Sequence, residues 1–211
     1  YGALLTYALV LVPVIWLAPR KLKDEEGDGA VRRTNTGLEG NLGEEAEIAP
    51  RVCECCQPTA IPVAGGMLAV YRDRSADEIR DVVISRFDGS KWSEPKTVFD
   101  DKWQIYACPI QGPAIASAGD NVAVAWFTGA NDKPKVQVVL SKDGGKTFGV
   151  PVQIDDGNPI GRVDVVALES GGAVVTWIEH ASSGAEIRAR QVNPDEQKHE
   201  AHLVAKTTVG N

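Results

Sequence analysis

The densest run of ionisable side chains is residues 71–81, YRDRSADEIRD, with seven charged residues in eleven positions. Arg72, Arg74 and Arg80 offer planar guanidinium forks that match a carboxylate or a sulfate. Asp73 or Glu78 becomes a general acid or base wherever burial holds its proton. The competing reading is a web of arginine–carboxylate pairs that braces a loop. Arg162 and Asp164, within GRVDVV, form a second polar pair, and Glu179 and His180 follow Trp177 much as Asp73 and Arg74 follow Tyr71. A lone histidine is ordinarily a surface or hydrogen-bonding residue. Trp103 and Tyr106, in DKWQIYACP, present rings for stacking on a sugar or for packing.

Cys53, Cys55 and Cys56 stand in one cluster, and Cys108 lies farther along. Three chemistries fit. Cys108 forms a disulfide with one of the cluster, as in an exported protein; the thiols are free and buried; or they make a thiolate site for a soft metal such as copper(I) or zinc. The C-x-C-C spacing is not that of a zinc finger. No phosphate-binding loop, dinucleotide fingerprint, zincin helix or nucleophile elbow occurs, so no cofactor is expected.

These residues need a scaffold, and the composition bounds it. The chain has 211 residues, a net charge of −7, 21 glycines and 12 prolines. An acidic balance disfavours nucleic acid as a partner. Frequent turn residues suit many short strands better than long helices. Residues 2–18, GALLTYALVLVPVIWLA, are the one membrane-like stretch. They read either as an anchor, the only route to membrane association, or as two buried strands. The first residue is Tyr1 rather than methionine, which reads as a piece of a longer protein.

The strongest pattern is internal. Short apolar runs end on Trp16, Tyr71, Trp126 and Trp177, at spacings of 55, 55 and 51 residues. The last three runs follow glycine turns (AGGM, AGDN, ESGG) and are preceded by another short strand. After each aromatic comes a polar loop, an alternating strand (RDVVISR, KVQVVLS, AEIRARQV), a turn and an edge-like strand (EPKTVF, VPVQI, EAHLVA). The expectation is an all-β chain: a β-propeller of four-stranded antiparallel blades over residues 1–50, 51–107, 108–160 and 161–211, the first atypical. The recurrent aromatic should pack between neighbouring blades. Open blade edges would allow self-association.

Between the third and fourth strands lies a distinctive turn. Ser141, Asp143, Gly145, Thr147 and Phe148 fit the pattern S-x-D-x-G-x-T-F, and Ser85–Trp92 is a degenerate copy one unit earlier. This is the Asp-box pattern, and over residues 50–192 the chain resembles sialidase-like Asp-box propellers. The segments RVCECCQ, YRDRSADEIRD, CPIQGPA, VAVAWFT and GRVDVV look like those of a bacterial group described as exo-α-sialidase-like or BNR-repeat proteins. The resemblance implies about six blades in a closed propeller, of which four are present here. It implies a structural role for the box, export to the periplasm or outside the cell, and an acidic glycan as ligand. A sialidase needs an arginine triad, a tyrosine nucleophile paired with a glutamate, and an aspartate acid/base. The F-R-I-P-like motif of the first triad arginine is absent, and no residue matches the Tyr–Glu pair. Glycoside hydrolysis therefore stays open. The expected site is Asp73 and Glu78 for catalysis, with Arg72, Arg74, Arg80 and Arg162 for the ligand. A non-catalytic propeller that binds a protein or ligand, and a cysteine-based metal protein, are the alternatives.

Overall fold

A computed structural model describes residues 31–36, 42–182 and 184–208. The described chain is all-β, with three four-stranded antiparallel sheets and a two-stranded ribbon. The ribbon pairs β1 (Val31–Thr36) with β2 (Leu42–Ala49). The first sheet is β3 (Thr59–Val63), β4 (Gly66–Arg72), β5 (Val82–Phe87) and β6 (Lys96–Thr97). The second is β7 (Ala114–Ala118), β8 (Asn121–Thr128), β9 (Lys135–Ser141) and β10 (Val152–Gln153). The third is β11 (Pro159–Ala167), β12 (Ala173–Ala181), β13 (Gly184–Val192) and β14 (His202–Thr208). In each sheet the strands pair in chain order. Trp16 and the membrane-like residues 2–18 lie outside the described residues, as does most of the expected first unit. No described helix is long and apolar enough to cross a membrane.

The sheets stack, and alternation along β8 shows how. Ala123 and Ala125 face the third sheet, in a core with Val165, Val175 and Trp177. Val122, Val124 and Trp126 face the first sheet, in a core with Leu68, Val70 and Ile84. A strand covered on both sides can be apolar at every position, which explains NVAVAWFT. The three recurrent aromatics among the described residues point backward along the chain. Tyr71 packs with Ala49 and Val52, Trp126 against the first sheet, and Trp177 against the second. Small alanines oppose large rings, so the layers interdigitate. β14 is an edge strand with Leu203 and Val204 exposed, the kind of raw edge from which self-association was expected.

The turn after β9 is closed by one carboxylate. Asp143 Oδ1 accepts the backbone N–H groups of Lys146 (2.9 Å) and Thr147 (3.0 Å) and the Ser141 hydroxyl (2.7 Å). Its Oδ2 accepts the Thr147 hydroxyl at 2.6 Å, and Ser141 Oγ accepts the Gly145 N–H at 2.9 Å. Gly145 has φ 77°, and a Cβ there would sit 2.6 Å from the Leu68 side chain of the neighbouring sheet. Phe148 packs partly buried against the core between the first two sheets. The earlier copy keeps half of this: Asp88 Oδ1 accepts the N–H groups of Ser90 (2.9 Å) and Lys91 (2.8 Å), and Phe87 stacks on Trp92.

The bonds from Thr147, then from Ser141, hold the Asp143 carboxyl far below the ordinary aspartate range. A depressed carboxylate contributes stability that is fully present above its unfolded-state value and is lost as pH falls through the folded one. The difference in unfolding free energy between wild type and Asp143→Ala should therefore be constant from neutral pH to mild acid and shrink below it. Urea unfolding at a series of pH values checks this; a difference that grows in acid contradicts it.

Candidate functional site: a polar cleft beside an arginine–cysteine cluster

The leading strands β3, β7 and β11 lie side by side through the stack, which brings their entry segments together. Between those segments is a cleft of about 540 Å³. The approach to β3 supplies Cys55, Gln57 and Thr59, that to β7 supplies residues 110–114, and β11 supplies residues 162–164. Gln111 ties the walls together. Its Oε1 accepts the Arg162 N–H (2.9 Å), its Nε2 donates to the Ile160 carbonyl (2.8 Å), and its own carbonyl accepts Arg72 Nε (2.9 Å). Arg162 is held with φ 56°, a left-handed backbone that costs a non-glycine residue on the order of 1 kcal/mol. Strain of this kind collects where a side chain must be aimed. The Arg162 side chain is exposed and makes no ion pair or hydrogen bond among the described residues. Asp164 is exposed beside it, with Oδ1 accepting the Val165 N–H at 2.8 Å.

The 71–81 segment is a different kind of place. Arg72 is fully buried and donates to three backbone carbonyls: Gln111 (2.9 Å), Arg80 (2.6 Å) and Phe127 (2.7 Å). Its guanidinium also lies 4.9 Å from the centre of the Trp103 ring. Every arm of the fork is occupied by a backbone carbonyl, so in this fold Arg72, expected as a ligand residue, braces the sheets. Glu78 is gripped by Arg51 (2.8 Å), Arg74 (3.1 Å) and Arg80 (2.8 Å). The Arg74 bonds, then those of Arg80, hold its carboxyl below the ordinary glutamate range. That shift favours the carboxylate over the protonated form a general acid needs. Arg74 also reaches Glu54 at 3.2 Å, so Arg74 and Arg80 both have carboxylate partners already. Asp73 is half-buried, and its backbone N–H donates to the Asp81 carbonyl at 2.9 Å.

The cysteines sit between these two regions. Cys55 is disulfide-bonded to Cys108, joining the entry segments of the first two sheets with Cα atoms 6.2 Å apart. Cys53 and Cys56 are buried free thiols with sulfurs 2.8 Å apart, and Arg80 Nη1 donates to Cys53 Sγ at 3.2 Å. The Cys56 bond, with Arg80 and Arg72 nearby, draws the Cys53 thiol down to about 6 against the burial that opposes it. The same contact and burial push Cys56 up.

Other candidates separate. Trp103 is buried edge-on against Phe127, while Tyr106 is 80% exposed and accepts the Gln104 amide at 3.1 Å. Glu179 is buried, accepting the Trp177 indole N–H at 2.8 Å and the Asn158 N–H at 3.3 Å, whereas His180 is exposed. Gln57, Gln111 and the half-buried Asp101 were not singled out from sequence. Asp81 accepts the N–H groups of Lys102 (2.9 Å) and Trp103 (3.0 Å). Asp101 accepts the Trp126 indole (2.6 Å) and the Gln137 amide (2.9 Å).

No family model and no curated protein matches this chain. Among solved structures, a Hadza microbial sialidase is similar at 16% identity and TM-score 0.46, over 70% of this chain and 36% of that one. A fucose lectin from Kordia zhangzhouensis, in complex with methyl-fucoside, is similar at 11% identity and TM-score 0.44, over 72% of this chain and 99% of that one. The chain thus spans about a third of the sialidase's length.

Proposed function

We propose that this chain is part of a β-propeller whose polar cleft binds an acidic glycan, and that its activity is binding rather than hydrolysis. The observation that carries the reading is Arg162: an unpaired guanidinium, on a strained backbone, at the meeting of three sheets. A carboxylate takes a guanidinium fork bidentately. Gln57, Thr59 and Asp164 around it offer the mixed donors and acceptors that sugar hydroxyls need. The stacking of meander sheets with aromatics packed between them, and the Asp-box resemblance in sequence, support the propeller. The Cys55–Cys108 disulfide supports an oxidising compartment, periplasmic or extracellular.

Calorimetric titration with sialyllactose and with lactose tests the reading. Sialyllactose should bind and lactose should bind far more weakly. Arg162→Ala should weaken sialyllactose by about tenfold or more, the scale of one charge-assisted hydrogen bond. Equal affinity for the two sugars, or an unchanged Arg162→Ala variant, would overturn it. Hydrolysis is the second reading, left with Asp73 as its carboxylate. A fluorogenic sialoside separates the two: turnover by wild type above that of Asp73→Asn would make the protein an enzyme.

A further inference from the structure

Cys53 sits between two other sulfurs. Its Sγ lies 2.8 Å from the Cys56 thiol and 3.6 Å from Cys55, one half of the disulfide with Cys108. A turn closed by the Cys56 N–H on the Cys53 carbonyl (3.0 Å) sets the two thiols side by side. Cys53 and Cys56 are 2% and 6% exposed, while Cys108 is at the surface. A metal fits this arrangement poorly. The disulfide removes two of the four sulfurs, and the Arg80 cation already occupies Cys53. Thiolate chemistry fits well, because a neighbouring guanidinium favours the thiolate and the thiolate is the attacking species in disulfide exchange.

We propose that the four cysteines form a disulfide relay, moving one disulfide between a surface pair, Cys55–Cys108, and a buried pair, Cys53–Cys56. In the first step the Cys53 thiolate attacks Cys55 Sγ. The Cys53–Cys55 bond forms, the Cys55–Cys108 bond breaks, and Cys108 leaves as a thiolate that takes a proton from solvent. In the second step Cys56 loses its proton and attacks Cys53 Sγ. The Cys53–Cys56 bond forms and Cys55 leaves as a thiolate, which takes up that proton. One disulfide and two thiols are present throughout, so no oxidant or reductant is consumed. The surface dithiol that results is the form able to exchange with a disulfide-bearing small molecule or protein at Cys108. None of this depends on what the cleft binds.

The full-length protein, purified without added thiol, is labelled with N-ethylmaleimide over time, quenched in acid and digested for disulfide mapping. The relay predicts Cys108 labelling in wild type with no external reductant, and recovery of Cys53–Cys56 or Cys53–Cys55 linked peptides. The labelling rate should rise with pH at lower pH than for an ordinary thiol, because the Cys53 thiol is drawn down by Cys56 and Arg80. Cys53→Ser should slow Cys108 labelling by about tenfold or more, because the attacking sulfur is gone. Cys56→Ser tests the second step separately: it should keep Cys108 labelling and yield only Cys53–Cys55. Wild-type protein that shows only Cys55–Cys108, with unlabelled Cys108 at every pH, would overturn the relay. So would zinc or copper retained by Cys53 and Cys56 after dialysis.

Discussion

Replacing Arg72 with alanine is expected to lower the unfolding free energy by about 3–5 kcal/mol, the cost of breaking a buried charged network. The physical reason is what is left behind. The carbonyls of Arg80, Gln111 and Phe127, on three separate segments, each lose their guanidinium donor. A buried acceptor without a donor costs roughly 1–3 kcal/mol, and these losses are not fully additive. The Trp103 face loses its cation as well. Arg72→Lys should recover only a minor part, because an ammonium cannot span three carbonyls held around a planar fork. Urea unfolding of the three proteins checks this. A change under about 1 kcal/mol for Arg72→Ala would mean that the guanidinium is not bracing the sheets, and would restore it as a ligand candidate.

Trp126→Ala should cost a similar amount, about 3–5 kcal/mol. Trp126 is fully buried between the first two sheets, so its loss opens a cavity lined by Leu68, Val70 and Ile84. Its indole N–H is also a donor to Asp101 at 2.6 Å. Burial already pushes the Asp101 carboxyl up, and the Trp126 and Gln137 bonds act against that. Trp126→Phe separates the two effects: it keeps most of the volume and removes the donor. The expected loss is then about 1–2 kcal/mol, the scale of one buried hydrogen bond. Thermal or urea unfolding distinguishes the variants. Equal losses for Phe and Ala would assign the whole effect to the hydrogen bond.

Much of the sheet architecture was legible because it rests on local rules. Lys135–Ser141 alternates and is rich in β-branched residues, and it forms β9 over that span. The glycine turns at 64–65, 119–120 and 171–172 lie between the first and second strands of each sheet. The contacts that decide the site are not local. Arg72 reads as a free charge because arginine is rarely buried, and nothing in YRDRS reveals three carbonyls waiting for it. Glu78 reads as a candidate acid, since one sequence does not show that Arg51, 27 residues earlier, folds back onto it. Gln111 carries no motif of its own; its one trace is that Pro109-Ile110 before it recurs as Pro159-Ile160 before Arg162. The presence of cysteine chemistry was plain. Which cysteine pairs with Cys108 was not, because connectivity depends on the fold.

The central claim is that Arg162, not the arginines of the 71–81 cluster, meets the acidic ligand. Nuclear magnetic resonance of the arginine Nε–H groups addresses it directly, with each signal assigned by single Arg→Lys variants. Sialyllactose should shift the Arg162 signal saturably, lactose should leave it nearly unmoved, and the Arg72 signal should stay fixed under both. A saturable shift confined to Arg74 or Arg80, with Arg162 unmoved, would contradict the account and move the site to the charged cluster.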